Sequence, residues 1–158
     1  ATGRYPLETV QEMGRICAAA EQAEHVELDA DFSSRTVRRI DQSIAMGALF
    51  TAHQLGAKAI VALTASGSTA LWMSRHRIDI PIYALTPSLA TQRRMALIRN
   101  VRPLLMDESD DRDVALAQAE THLKKRGIVD TGDVYAITCG EPMGSPGGSN
   151  MLKICRAG

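Results

Sequence analysis

A chain of 158 residues is long enough for one domain with a buried core. Its 18 basic and 18 acidic residues cancel, so the overall charge gives no pull toward nucleic acid or an anionic membrane. No apolar run approaches the ~20 residues of a membrane span. No secretory signal is expected ahead of Arg4, and Cys17, Cys139 and Cys155 are odd in number and lack a CxxC pair, so neither a disulfide framework nor a zinc site is expected. The expected location is a reducing cytoplasm.

Pro6 stands where a first helical turn tolerates proline, and Leu7, Val10, Met13, Cys17 and Ala20 recur at helical spacing. This predicts an amphipathic helix that needs a partner. The acidic stretch from Glu24 to Phe32 breaks the pattern and reads as a linker, so the first helix is expected to belong to something other than the main domain. Ser33 or Ser34 is the expected cap of a second helix, with Val37, Ile40, Ile44, Ala48 and Ala52 along one face and Gly56 at its end.

Three strand-then-helix repeats follow: Ala59 to Leu63 with Ser68 to Arg77, Pro81 to Leu85 with Ser88 to Arg99, and Val101 to Met106 with Asp110 to Gly127. A fourth strand is expected from Asp133 to Thr138, and Met151 to Cys155 alternates as an antiparallel edge strand does. Such alternation predicts a mostly parallel sheet covered on both faces, a three-layer α/β/α fold. Pro103 lacks a ladder N–H and marks its strand as an edge. The fourth strand must then return to the free side of the first. The predicted order is 3-2-1-4-5 with the last strand antiparallel, and its topological switch point falls between strands one and four.

Two segments meet at that point. After the first strand come Thr64, Ala65, Ser66, Gly67, Ser68 and Thr69, small hydroxyl residues around a glycine whose backbone N–H groups and hydroxyls suit a phosphate. The plain alternative is a turn in which Ser66 or Ser68 caps a helix and Gly67 turns the chain. A carboxylate at Thr69 is expected to abolish anion binding and leave the fold intact. After the fourth strand, the segment from Cys139 to Asn150 is rich in glycine and proline and reads as a hairpin whose tip covers the switch point.

Other candidates read as structural. A lone cysteine at a strand end, Cys139, is more often packing than nucleophile. His53 and His76 have no sequence partner that would mark a triad or metal pair, and Arg93 and Arg94 are expected on a solvated helix face. Trp72 is expected in the core, with covering a sugar or base as the alternative, and Tyr83 and Tyr135 read as core.

Taken together, the GRYPLETVQEMGRIC stretch, KAIVALTASGSTA, PIYALTP and GDVYAITCGEPMGSPGGSNMLKI, in that order and spacing, resemble the C-terminal portion of pyruvate kinase in its bacterial form. The resemblance covers essentially the whole chain. It implies that residues 1–25 are similar to the last helix of the catalytic (β/α)8 barrel, 26–32 to a linker and 33–158 to the C-terminal regulatory domain.

The catalytic lysine, the metal-binding carboxylates and the potassium site of that family precede the first residue here. The resemblance therefore implies no catalytic residue, no metal ligand and no cofactor in this chain, the Mg and K ions belonging to the full-length enzyme. It also implies an effector-phosphate loop over Thr64, Ala65, Ser66, Gly67, Ser68 and Thr69, and a closing loop that includes Gly140, Glu141, Gly147, Gly148 and Asn150. Bisphosphate-activated eukaryotic forms carry cations where this chain has Ala65 and Ser68, and tryptophan and arginine where it has Glu141 and Met143. A sugar monophosphate or AMP is the implied effector. The implied partners are the barrel of the same polypeptide and further copies in a homotetramer, paired partly through edge strands.

Overall fold

The computed structural model describes residues 2–23, 37–145 and 148–158. Along the chain these form α1 (Pro6–Ala23), α2 (Ile40–Gln54), β1 (Ala59–Leu63), α3 (Ser68–Ser74), β2 (Ile82–Thr86), α4 (Leu89–Met95), β3 (Val101–Leu105), α5 (Arg112–Lys125), β4 (Val134–Gly140) and β5 (Ser149–Arg156). The strands make one sheet in the order β3-β2-β1-β4-β5. Only the β4–β5 pair is antiparallel, so the sequence-based order holds. Pro103 lies on the edge strand β3, where its missing N–H costs no ladder bond.

Side chains alternate across the sheet, and each face has its own core. Ile60, Ala62, Ile82, Ala84 and Ala136 pack with Ala45, Ala48, Leu49 and Ala52 of α2, Ala70 and Met73 of α3, and Met95 of α4. Val61, Leu63, Tyr83, Leu85, Tyr135, Ile137 and Cys139 pack on the other face with Ala115, Leu116, Ala119 and Leu123 of α5. All five residues of β1 and of β2 are buried, the pattern of central parallel strands. Tyr83 and Tyr135 are core residues, as expected. Trp72 packs, partly buried, against the α2-side core, and the Arg75 guanidinium lies 4.1 Å from its ring centroid.

Some boundaries differ from the sequence reading. Helix α2 starts at Ile40, with Arg39 still extended at φ −118 and ψ 142, so the expected helical turn through Val37 does not form. Arg39 instead donates two hydrogen bonds to Asp41, at 2.9 and 2.7 Å, and the Asp41 carboxylate accepts from the backbone N–H of Gln42 at 3.0 Å. A carboxylate in the first turn satisfies a free N–H there. The expected caps Ser33 and Ser34, and the linker, lie outside the described residues. Helix α4 stops at Met95. The chain turns at Asn100, which takes φ 57 and donates through its amide to the carbonyls of Ile78 and Ile80 at 3.0 and 2.9 Å. On α1, the apolar residues Leu7, Val10, Met13 and Ile16 are all exposed, as is Tyr5 just ahead of it.

The chain end is tied to α5. Glu120 accepts from the Gly158 backbone N–H at 3.1 Å, the Lys124 ammonium at 3.0 Å and the Tyr135 hydroxyl at 3.0 Å, and Lys124 also donates to the Gly158 carbonyl. The Gly158 N–H first, then Lys124, hold the Glu120 carboxyl below its ordinary range. A depressed folded-state value means that the stabilisation is complete above the unfolded carboxylate range and is lost as pH falls through the folded value. Glu120→Gln is therefore expected to cost about 1 kcal/mol at pH 7, read from urea denaturation, and the gap to wild type should close in strong acid.

Candidate functional site

Strand β1 ends at Leu63, and the next six residues fold on themselves. The Thr64 hydroxyl accepts from the Gly67 backbone N–H at 2.8 Å, and Ser66 and Ser68 pair through their hydroxyls at 3.2 Å. Gly67 takes the left-handed conformation at φ 81 and ψ 3. A Cβ there would also meet the Met95 Sδ at 2.8 Å, so glycine is required twice over. Helix α4 braces the loop from outside: the Thr91 hydroxyl donates to the Ala65 carbonyl at 3.0 Å, and Arg94 donates to the Ser66 carbonyl at 2.6 Å. Arg94, expected to be merely solvated, is thus a brace on the loop.

The second wall comes from β4 and β5. Their ladder slips between Cys139 and Gly140, and a Cβ on Gly140 would lie 2.8 Å from the Gly148 carbonyl oxygen. The two arms of the hairpin can come this close only without a side chain at that position. Beyond it, the Glu141 N–H donates to the Asn150 side-chain oxygen at 2.9 Å, and the Asn150 amide donates back to the Glu141 carbonyl at 2.7 Å. The Glu141 carboxylate accepts from Arg112 at 2.8 Å, and Arg112 also donates to Asp113 at 3.0 Å. Arg112 holds the Asp113 carboxyl below its ordinary range. The two walls are joined inside the protein, where the hydroxyls of Thr69 and Ser149 lie 2.6 Å apart.

Between the walls is a cleft open to solvent at the carboxyl ends of the strands. Thr64, Ala65 and Ser68 line it from the first loop, and Gly140, Met143, Gly144, Ser145 and Ser149 from the hairpin. Leu63, Leu85 and Ala115 form its floor, and Pro87 with Met106, Asp107, Glu108 and Ser109 makes a further wall. Of the expected first-loop residues, Ser66, Gly67 and Thr69 shape the loop without lining the cleft, and Gly67 and Thr69 are buried. Of the expected closing-loop residues, Gly140 lines the cleft, while Glu141 and Asn150 clasp the hairpin base. Gly148 donates its N–H to the Ser145 carbonyl at 3.0 Å, and Gly147 lies outside the described residues.

The wall from Met106 to Ser109 did not emerge from the sequence. Its signal was the run from Asp107 to Asp113, polar and rich in carboxylates directly after a strand, at a strand end that shares the cleft by the same topological rule. Asp107 and Glu108 are the only ionisable side chains among the described lining residues.

Cys139 is 0% exposed, and burial pushes its thiol up from the ordinary cysteine value, the reverse of what a nucleophile needs. Among the described residues no group of three or more His, Cys, Asp or Glu side chains comes together to hold a metal ion, and no helix is long and apolar enough to cross a membrane.

The family model described as "Pyruvate kinase, alpha/beta domain" matches residues 42–155, from the first turn of α2 almost to the end of β5. This chain belongs to the pyruvate kinase alpha/beta domain family. It is similar to the pyruvate kinase of Buchnera aphidicola subsp. Baizongia pistaciae, 33% identical over 99% of this chain and 33% of that protein. It is also similar to pyruvate kinase II of Salmonella typhimurium, 34% identical over 98% of this chain and 32% of that protein. A pyruvate kinase from Cryptosporidium parvum shares its fold, with a TM-score of 0.80 at 24% identity, covering 100% of this chain and 31% of that one. The chain spans about a third of the length of these pyruvate kinases.

Proposed function

We propose that this chain is the C-terminal regulatory domain of a pyruvate kinase, binding a sugar monophosphate or AMP in the cleft between the Thr64–Thr69 loop and the hairpin after β4. The observation that carries this reading is the cleft itself. It sits at the switch point between β1 and β4, walled on one side by hydroxyls and on the other by a glycine hairpin, in a chain of that family. Thr64 and Ser68 line the cleft, and Arg94 puts positive charge behind the loop.

The full-length enzyme, in this reading, is a cytoplasmic homotetramer that transfers phosphate between phosphoenolpyruvate and ADP, giving pyruvate and ATP with the help of Mg and K ions. Residues 1–25 are the last helix of its barrel, 26–32 a linker, and 33–158 the regulatory domain. The exposed apolar side chains of α1 support a missing partner for that helix. The fragment alone is catalytically inactive and takes part in tetramer assembly, for which the unpaired edge of β5 is suited. A free-standing enzyme acting through Cys139 has little support, because that thiol is buried and kept protonated. A purely structural role in assembly stands as the remaining alternative.

Calorimetric titration with ribose 5-phosphate, glucose 6-phosphate and AMP tests the reading, with Ser68→Glu as the control. Ser68 is half-buried at the first position of α3, where a carboxylate is tolerated by the helix but stands in the anion's place. Saturable binding of a monophosphate is expected, weakened by roughly a hundredfold in Ser68→Glu with the unfolding midpoint unchanged. Equal affinity in the two proteins would remove the site assignment, and no binding of any of the three would leave the structural role.

A further inference from the structure

The two bonds by which α4 holds the Thr64–Thr69 loop also fix which way its peptides point. Helix α4 packs on one face of the sheet through Met95, whereas Leu63, Leu85 and Ala115, the floor of the cleft, belong to the other face. The Thr91 hydroxyl donates to the Ala65 carbonyl at 3.0 Å and the Arg94 guanidinium to the Ser66 carbonyl at 2.6 Å, so both carbonyls are drawn to the α4 side. In a planar trans peptide the N–H points opposite to the C=O. The N–H groups of Ser66 and Gly67 are therefore turned away from α4. The Gly67 N–H accordingly donates to the Thr64 hydroxyl at 2.8 Å, and Thr64 lines the cleft.

Arg94 does more than orient. A cation on the Ser66 carbonyl polarises the Ser66–Gly67 peptide and makes the Gly67 N–H a stronger donor, since bonds in such a chain reinforce one another by roughly 10–30% each. The Thr64 oxygen accepts that bond and keeps its own hydrogen for a further acceptor. A chain of bonds thus runs from an exposed side chain on one face of the sheet to a cleft residue on the other. Among the described residues no carboxylate forms an ion pair with Arg94, and the Ser66 carbonyl is what holds it.

We propose that Arg94 is a positioning residue for anion binding in the cleft, acting through the Ser66 carbonyl to aim and polarise the Gly67 N–H and, through it, the Thr64 hydroxyl. The proposal rests on the effector reading above. Arg93 supplies the contrast. It is the neighbouring residue on α4, equally charged and exposed, but among the described residues the bonds from α4 to the loop come from Thr91 and Arg94. Bare positive charge is the same at both positions, and the bond is not.

The test is the affinity of the chain for inorganic phosphate, glucose 6-phosphate and AMP, by calorimetry, in wild type, Arg94→Met, Arg94→Lys and Arg93→Met. The Gly67 amide proton is followed by NMR in each protein without ligand. Methionine keeps much of the arginine stem and removes the donor at an exposed position, so the urea midpoint is expected to stay near that of wild type. Arg94→Met is expected to weaken binding roughly tenfold and to move the Gly67 amide proton upfield before any ligand is added. Arg94→Lys, which still donates to the carbonyl, should restore most of both, and Arg93→Met should stay within about twofold of wild type.

Wild-type affinity in Arg94→Met overturns the positioning role and leaves the anion site standing. An equal loss in Arg93→Met and Arg94→Met does the same, because charge without a bond would then suffice. A loss of affinity that accompanies a fallen midpoint overturns the role in favour of a brace that serves the fold alone. Failure of wild type to bind any of the three ligands overturns the effector reading and the positioning role with it.

Discussion

Replacing Thr69 by Glu is expected to destabilise the fold by about 4 kcal/mol or more, so that loss of ligand binding in this variant would report unfolding and not an emptied anion site. Thr69 is only 1% exposed, in the first turn of α3, and its hydroxyl meets that of Ser149 at 2.6 Å in the interior. A glutamate there must either bury a charge without a partner or force the start of α3 away from β5. It also leaves the Ser149 hydroxyl, itself buried, without its bond. Urea denaturation decides the matter: a midpoint near that of wild type would show that the position tolerates a carboxylate. Ser68→Glu, one residue earlier but on the cleft, should keep its midpoint, and the contrast separates fold from site.

That contrast marks where the sequence is legible and where it is not. The sheet order could be read because two local facts fix it. Pro103 must be at an edge, and a fourth strand arriving after three outward steps has one place left beside β1. The switch point and the two loops that flank it follow from the order alone. Whether a hydroxyl in the loop faces ligand or core does not follow, because a loop lacks the periodicity that assigns faces in a helix or strand. Thr64 and Ser68 line the cleft, while Thr69, equally hydroxylic in sequence, is turned inward to Ser149, 80 residues away.

The same reason hid the roles of α4 and of the β3–α5 loop. Arg94 looked like one more charge on a surface helix, and its bond to the Ser66 carbonyl joins residues 28 positions apart. Asp107 and Glu108 fall between the third strand and its helix, and the parallel register of β2 and β3 brings that strand end level with the others. Partnerships across the fold carry no local signature, and they decide what the cleft can bind.

Gly67→Ala is expected to cost about 2–4 kcal/mol and to weaken binding at the cleft as well. An L side chain in the left-handed region costs about 1–2 kcal/mol, and overpacking of a core costs about 1–3 more, offset by the lower entropy of the unfolded alanine chain. The overpacking is specific: the new Cβ would stand 2.8 Å from Sδ and 2.9 Å from Cγ of Met95, which is fully buried in the α2-side core and has no solvent to move into. Relief by moving the loop would break the Gly67 N–H bond to the Thr64 hydroxyl and carry Ser68 with it, which is how a change in packing reaches the ligand. A double-mutant cycle with Met95→Ala separates the two costs. If the clash dominates, Gly67→Ala should cost about 1–2 kcal/mol less in the Met95→Ala background, the remainder being backbone strain. Equal costs in both backgrounds would show that Met95 yields freely and that the conformation of Gly67 alone fixes the shape of the loop.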